Sequence, residues 1–109
     1  MLQNVSIPLS GQISGNIDLS QTRLSAIFVP VINSCDTYLQ GSFDTTSANF
    51  ARVQMADLGQ ANISGDLHWA TAAGSRMALW AYEWPPIAYV RFETGVPQTA
   101  ARSFQVLSR

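Results

Sequence analysis

Apolar residues in this chain recur at every second position or in short runs, and Gly, Asn, Asp or Ser interrupts them about every ten residues. That rhythm restricts the fold more than any other feature. Period-two alternation sends successive side chains to opposite faces of an extended strand, and helical spacing is hard to find. Val5, Ile7 and Leu9 alternate with Ser and Pro, and Ile13, Ile17 and Leu19 flank a Gly-Asn turn. Leu24 to Ile32 is a longer run that reads as a strand buried on both faces, with Pro30 marking a bulge or an edge. Further strands are expected at Thr37 to Phe43, Phe50 to Met55, Ile63 to Trp69, Arg76 to Trp80, Ile87 to Glu93 and Ser103 to Leu107. Gly41 with Asp44, and the stretches 57–59 and 73–75, supply turn chemistry between them. Only Ser47 to Ala56 and Gln98 to Arg102 could hold a helical turn.

Eight or nine short antiparallel strands with no helices predict an all-β, two-sheet, jelly-roll-like sandwich. At 109 residues the chain has room for one domain. Residues 11–109 are read as that domain, and residues 1–10 as an N-terminal arm or edge strand. Met1 to Ser10 alternates without a clear partner strand, so pairing across subunits is one expectation for it.

Composition narrows the chemistry. Hydrophobic residues make up 47% of the chain and charged ones only 12%, so the body is globular and its polar surface is mostly neutral. Six Arg oppose seven carboxylates and Lys is absent, which leaves no Schiff-base lysine, no phosphate-loop lysine and no basic run to neutralise nucleic acid. Cys35 is the single cysteine and cannot form an internal disulfide. No stretch approaches the roughly 20 apolar residues of a spanning helix, and the N-terminal segment lacks a basic signal-peptide region. Folding in a reducing cytoplasm, with neither nucleic acid nor membrane as a partner, is the expectation.

Catalytic constellations are sparse. His68, the only histidine, follows Asp66 by two residues, which would place both on one face of a strand. No second His or Cys pair completes a metal set, so a surface pair near a strand end explains it better. Cys35 with His68 could be imagined as a thiol and its base, but "NSCDT" has no Gly-rich elbow or helix start to activate the sulfur. There is no Gly-x-Ser-x-Gly elbow, and Glu83 and Glu93 do not obviously converge as a hydrolase pair. Asp36, Asp44, Asp57 and Asp66 stand singly, without the clustering calcium needs. The chain reads as a non-enzyme with no catalytic residues, no cofactor and no metal.

Contact chemistry concentrates in "LWAYEWPPIAYVRFETG", residues 79–95. Trp80, Tyr82, Trp84, Pro85 and Pro86 form a rigid aromatic corner, because Pro fixes φ and removes donors. Packing, a protein contact and a platform for sugar rings are all open to such a corner. The loop Gly95 to Ala101, uncharged until Arg102 and too long for a tight hairpin, adds Pro97, Gln98, Thr99 and Arg102 as partner-contact candidates at the sandwich edge.

Three segments carry a resemblance: "IDLSQTRLSAIFVP" at 17–30, "ARVQ" at 51–54 and "YVRFETGVPQTAARSFQVLSR" at 89–109. They combine an Ile-Asp-Leu start and an apolar strand ending in Pro, an aromatic-x-Arg strand, a Thr-Gly turn, a Pro-Gln loop and a final Arg-x-aliphatic strand. From Gly15 onward the chain resembles small proteins encoded among the virion genes of tailed bacteriophages and prophages, from which the Trp-rich corner at 80–86 departs. The resemblance implies a β-sandwich that decorates or cements capsids, with the major capsid protein and itself, as a homotrimer, for partners. It also implies folding in the host cytoplasm and residence on the capsid surface of the virion. A virion-displayed carbohydrate-binding module for host attachment and a tail or neck component are the alternative functions.

Overall fold

The structure, a computed structural model, describes residues 1–33, 35–54, 68–70, 75–79 and 87–109. In chain order the described strands are β1 (Leu2–Ile7), β2 (Ile17–Asp18), β3 (Leu24–Val29), β4 (Asp36–Ser42), β5 (Ala51–Arg52), β6 (His68–Ala70), β7 (Arg76–Leu79), β8 (Tyr89–Thr94) and β9 (Arg102–Ser108). One turn of 3-10 helix, Ser47–Asn49, precedes β5.

Each of the first four strands pairs antiparallel with one from later in the chain: β1 with β9, β2 with β8, β3 with β7 and β4 with β5. The chain is therefore one long antiparallel ribbon. Rolling it brings β9 beside β3 and β8 beside β4, so the strands distribute into two sheets ordered β1-β9-β3-β7 and β2-β8-β4-β5, with β6 also on β4. Because β8 occupies one side of β4, β5 and β6 share the other. This is the two-sheet, all-β jelly roll that the alternation predicts.

Alternation explains how the layers adhere. On β8, Val90, Phe92 and Thr94 are buried while Tyr89, Arg91 and Glu93 are half-buried on the other side; on β9, Phe104, Val106 and Ser108 are buried between exposed Ser103, Gln105 and Leu107. Phe92 of one sheet and Phe104 of the other stack with centroids 4.4 Å apart and planes 12° apart, both fully buried. Ile7, Ile17, Ile27 and Leu39 surround them in the same core, each such side chain contributing about 1.5–3 kcal/mol on removal from water.

Several expectations change. The run Leu24 to Ile32 is not buried on both faces: Leu24, Ile27 and Val29 point inward, whereas Ala26 and Phe28 are half-buried on the outer side. Its strand stops at Val29, before Pro30, and the irregularity falls between Leu24 and Ala26. The strand expected over Phe50 to Met55 contracts to Ala51–Arg52, because the 3-10 turn draws the Phe50 N–H back to the Ser47 carbonyl at 3.3 Å. No helical turn forms over Gln98 to Arg102, since β9 starts at Arg102. The partner strand that was missing for residues 1–10 is β9, which pairs with every residue of β1 from Leu2↔Leu107 to Ile7↔Arg102. Met55, the Ile63 to Leu67 part of another expected strand, and the turns at 57–59 and 73–74 lie outside the described residues.

Candidate functional site

The C-terminal loop candidates are fastened to their own chain. Gln98 is 1% exposed. Its Oε1 accepts the Asn33 N–H at 2.8 Å and Arg102 Nε at 3.3 Å, while its Nε2 donates to the Val96 carbonyl at 3.1 Å and reaches Cys35 Sγ at 3.8 Å. Its backbone donates to Gly11 and accepts from Ser10. Asn33 Oδ1 in turn accepts the Thr99 N–H, Thr99 Oγ1 and Arg102 Nη2 at 2.9, 3.1 and 3.1 Å. Gln98, Thr99, Arg102 and Asn33 therefore clasp three connections, those before β2, before β4 and before β9. The expectation that Gln98 faces a neighbour changes accordingly: a buried amide with both ends engaged has nothing left to offer a partner. Pro97 and Thr99 retain exposed surface.

The outward face of the five-stranded sheet is a closed polar network. Register sets Tyr38 opposite Glu93 and Gln40 opposite both Arg91 and Arg52. Arg52 grips Glu93 with both ends of its fork, at 3.0 and 2.6 Å. Gln40 donates to Glu93 at 2.7 Å and accepts from Arg91 Nε at 2.5 Å, and Arg91 Nη1 donates to Ser47 Oγ at 3.0 Å. Arg52 lies 3.8 Å from the Tyr38 ring centroid and Arg91 4.2 Å from that of Phe50, so both guanidinium planes are also held by aromatic faces. Burial lowers the pKa of Arg91, against the opposing charge of Glu93. Glu93, weighed above as half of a hydrolase pair, is instead an ion-pair acceptor, and Glu83 lies outside the described residues.

The four-stranded sheet presents the opposite chemistry. Register aligns Leu2, Leu107 and Ala26 in one row, Asn4, Gln105, Phe28 and Met77 in the next, and Ser6 with Ser103 in a third. The alternate residues Ile7, Ile27, Phe104 and Val106 are buried, so these rows face outward. Leu2 is 57%, Leu107 39% and Met77 64% exposed, and no described outward residue within these four strands carries charge, whereas Arg23 and Arg109, which bond each other's backbone just past the Leu24↔Ser108 pair, follow on the same side. Leu2, Asn4 and Ser6 lie in the stretch 1–10 that was open to cross-subunit pairing, whereas Ala26, Phe28, Met77, Ser103, Gln105 and Leu107 stood among no contact candidates. Their signal was legible in β1 and β9, where the outward members of the alternation are Leu, Asn, Ser and Gln alone.

A cavity of about 320 Å³ opens beside exposed Phe43, lined by Gly41, Asn49, Arg52, Val53 and Ile87 among others. Its polar lining is engaged elsewhere: Asn49 Nδ2 donates to both oxygens of Asp44, and Arg52 holds Glu93. Trp80, Tyr82, Trp84, Pro85, Pro86 and Asp66 lie outside the described residues, and of His68 only the backbone, paired with Tyr38, is described. Among the described residues no three His, Cys, Asp or Glu side chains gather as a metal site, and no helix is long and apolar enough to cross a membrane. In comparisons with known proteins, no family model, curated protein or solved structure shows significant similarity to the chain.

Proposed function

We propose that this chain is a structural protein of a tailed-bacteriophage virion, a decoration or cement protein that binds the outside of the capsid and holds neighbouring major capsid subunits together. The observation that carries the reading is the outward face of the four-stranded sheet: uncharged at its described positions within the strands, with Leu2, Leu107 and Met77 exposed above the core beneath. Exposed apolar side chains grouped on one rigid face mark a protein contact, because little conformational entropy is lost when such a face docks. The sequence resemblance supplies the setting, and the homotrimer belongs to the same proposal. Three copies of each patch on one particle raise avidity without strengthening any single contact. The mechanism is mass action: a protein that binds the assembled shell better than loose subunits shifts the equilibrium toward the shell.

Mixing the purified protein with empty expanded shells tests the reading. Co-sedimentation with the shells and a higher shell melting temperature are expected. A chain that stays in the supernatant and leaves shell melting unchanged is not a cement protein.

A further inference from the structure

We infer that the free edge of β1 pairs antiparallel with the β1 of a second copy of this chain, extending the four-stranded sheet across a two-fold axis. Hydrogen-bond phase identifies the groups that do so. The Ser108 N–H donates to the Met1 carbonyl at 2.8 Å, and the register of β1 on β9 continues from that pair in single steps to Ile7↔Arg102. Bonded and non-bonded pairs alternate along an antiparallel ladder, so Gln3, Val5 and Ile7 direct their backbone groups to β9. Leu2, Asn4 and Ser6 direct theirs away from it. The other side of β9 keeps the same phase, because Arg109 exchanges both backbone bonds with Arg23, just before β3, at 2.6 and 2.8 Å. β1 ends its sheet, and no described group takes up the outward N–H and C=O groups of Leu2, Asn4 and Ser6.

Those groups define their occupant. Donors and acceptors repeating at every second residue along a regular edge are matched by the backbone of another extended strand. β1 is also the edge that lacks protection, since natural edges are kept short, charged, bulged or interrupted by Pro. Among the other described strands, β2 and β5 have two residues each and carry Asp18 and Arg52, β6 has three, and the edge strand β7 has four and carries Arg76. β1 has six, in unbroken register, with neither charge nor Pro.

A second β1 fits this edge symmetrically. With Asn4 opposite the second copy's Asn4, Leu2 faces Ser6 and Ser6 faces Leu2, and every outward backbone group of both strands is bonded. Identical strands set like residues opposite one another at the axis, and an uncharged β1 meets no repulsion there. The Gln3 side chain leaves the edge clear: it lies on the inward side with Ile7 and ties β1 to β2, its Nε2 donating to the Asp18 carbonyl at 2.9 Å. A contact on a two-fold axis links trimers and closes none. The inference concerns the isolated chain and is independent of whether a capsid is its partner.

Sedimentation and amide exchange of the full chain at about 20 µM and about 1 mM test it. The mass is expected to double as concentration rises, and the amides of Leu2, Asn4 and Ser6 should gain at least about tenfold in protection, while Gln3, Val5 and Ile7 are protected throughout by β9. Asn4→Pro deletes the outward N–H at the axis and spares the bonds to β9, so it should abolish the doubling with an unchanged circular dichroism spectrum. Should β1 not accept the ring, Asn4→Lys sets two like charges opposite each other and should weaken the association at least about tenfold. Phe43→Lys, an exposed position outside β1, should leave it as it is. Constant mass across the range overturns the inference, as does doubling that Asn4→Lys retains. Doubling without added protection at Leu2, Asn4 and Ser6 also overturns it, by assigning the contact to another surface.

Discussion

The two outward faces of this sandwich rest on the same alternation and reach opposite ends. On the five-stranded sheet, Arg52, Glu93, Gln40 and Arg91 satisfy one another, with Tyr38 and Phe50 stacked on the cations. On the four-stranded sheet, Leu2, Gln105 and Leu107 stand exposed on strands whose described outward positions are uncharged, with Arg109 following only at the end of the face. A face whose strong groups are matched internally gains little from a partner, since any new bond replaces an existing one. A plain face gains whatever apolar area it covers. Net charge, which is -1 for the whole chain, reveals nothing of this asymmetry.

The two faces are opposite sides of one cooperative body only if the layers between them unfold together. Phe104→Ala removes the ring that stacks on Phe92 across the layers, with an expected cost of about 3–5 kcal/mol, a large part of the roughly 5–15 kcal/mol that holds a domain folded. Native-state amide exchange should accelerate together in β1 and β8. Protection that survives in one sheet and vanishes in the other would mean that the layers unfold separately and that their faces cannot be compared as parts of one unit.

Reciprocal exchanges of Gln and Glu probe the faces directly. Glu93→Gln takes away the charge that Arg52 and Gln40 address, at an expected cost of about 1 kcal/mol, kept small because Arg52 is 38% exposed on its side chain. Gln105→Glu adds a charge to the plain face and should change stability by less than about 0.5 kcal/mol. Urea unfolding at low and high salt gives both numbers. Equal costs, or a salt-insensitive Glu93→Gln effect, would erase the distinction between a closed face and an open one.

How much of this was legible in the sequence differs by element. Val90, Phe92 and Thr94 alternate visibly with Tyr89, Arg91 and Glu93, because a strand buried on one side imposes its period on the residue types. The pairing of β1 with β9 was not legible, since a partner a hundred residues away leaves no local trace. Gln98 was misread for another reason. A polar residue in a Pro-containing loop looks like surface, and only the positions of Asn33, Arg102 and Val96 in space reveal that its amide is fully engaged. The bidentate grip of Arg52 on Glu93 is likewise set by β5 and β8 lying on either side of β4.

The smallest expected effect is also the most local. The turn that brings Ser47 and Phe50 onto the closed face begins at Asp44, whose carboxylate accepts Asn49 Nδ2 at 3.2 and 2.9 Å and the Thr46 N–H at 2.9 Å. Asn49 first, and Thr46 after it, hold the Asp44 pKa below its usual value of 3.8. A pKa lower in the folded state means that folding binds the proton less well. The stabilisation is therefore complete above the ordinary carboxylate range and is lost as pH falls through the depressed folded value. Asp44 is fully exposed, so the effect should reach the turn and not the fold. Acidifying from about pH 5 to about pH 2 should release the Ser47–Arg91 contact in step with Asp44 titration, followed by NMR. Asn49→Ala should move that titration upward toward 3.8 and leave Asp18, lowered by Ser20, where it is. The outward positions of β1 and β9 carry no carboxylate, and the carboxylate beside β1 is Asp18, whose backbone bonds the Gln3 side chain, so the amides of β1 should follow Asp18 and not Asp44. A β1 titration that Asn49→Ala shifts together with that of Asp44 would show that the two faces are electrically coupled and that the closed network is not closed.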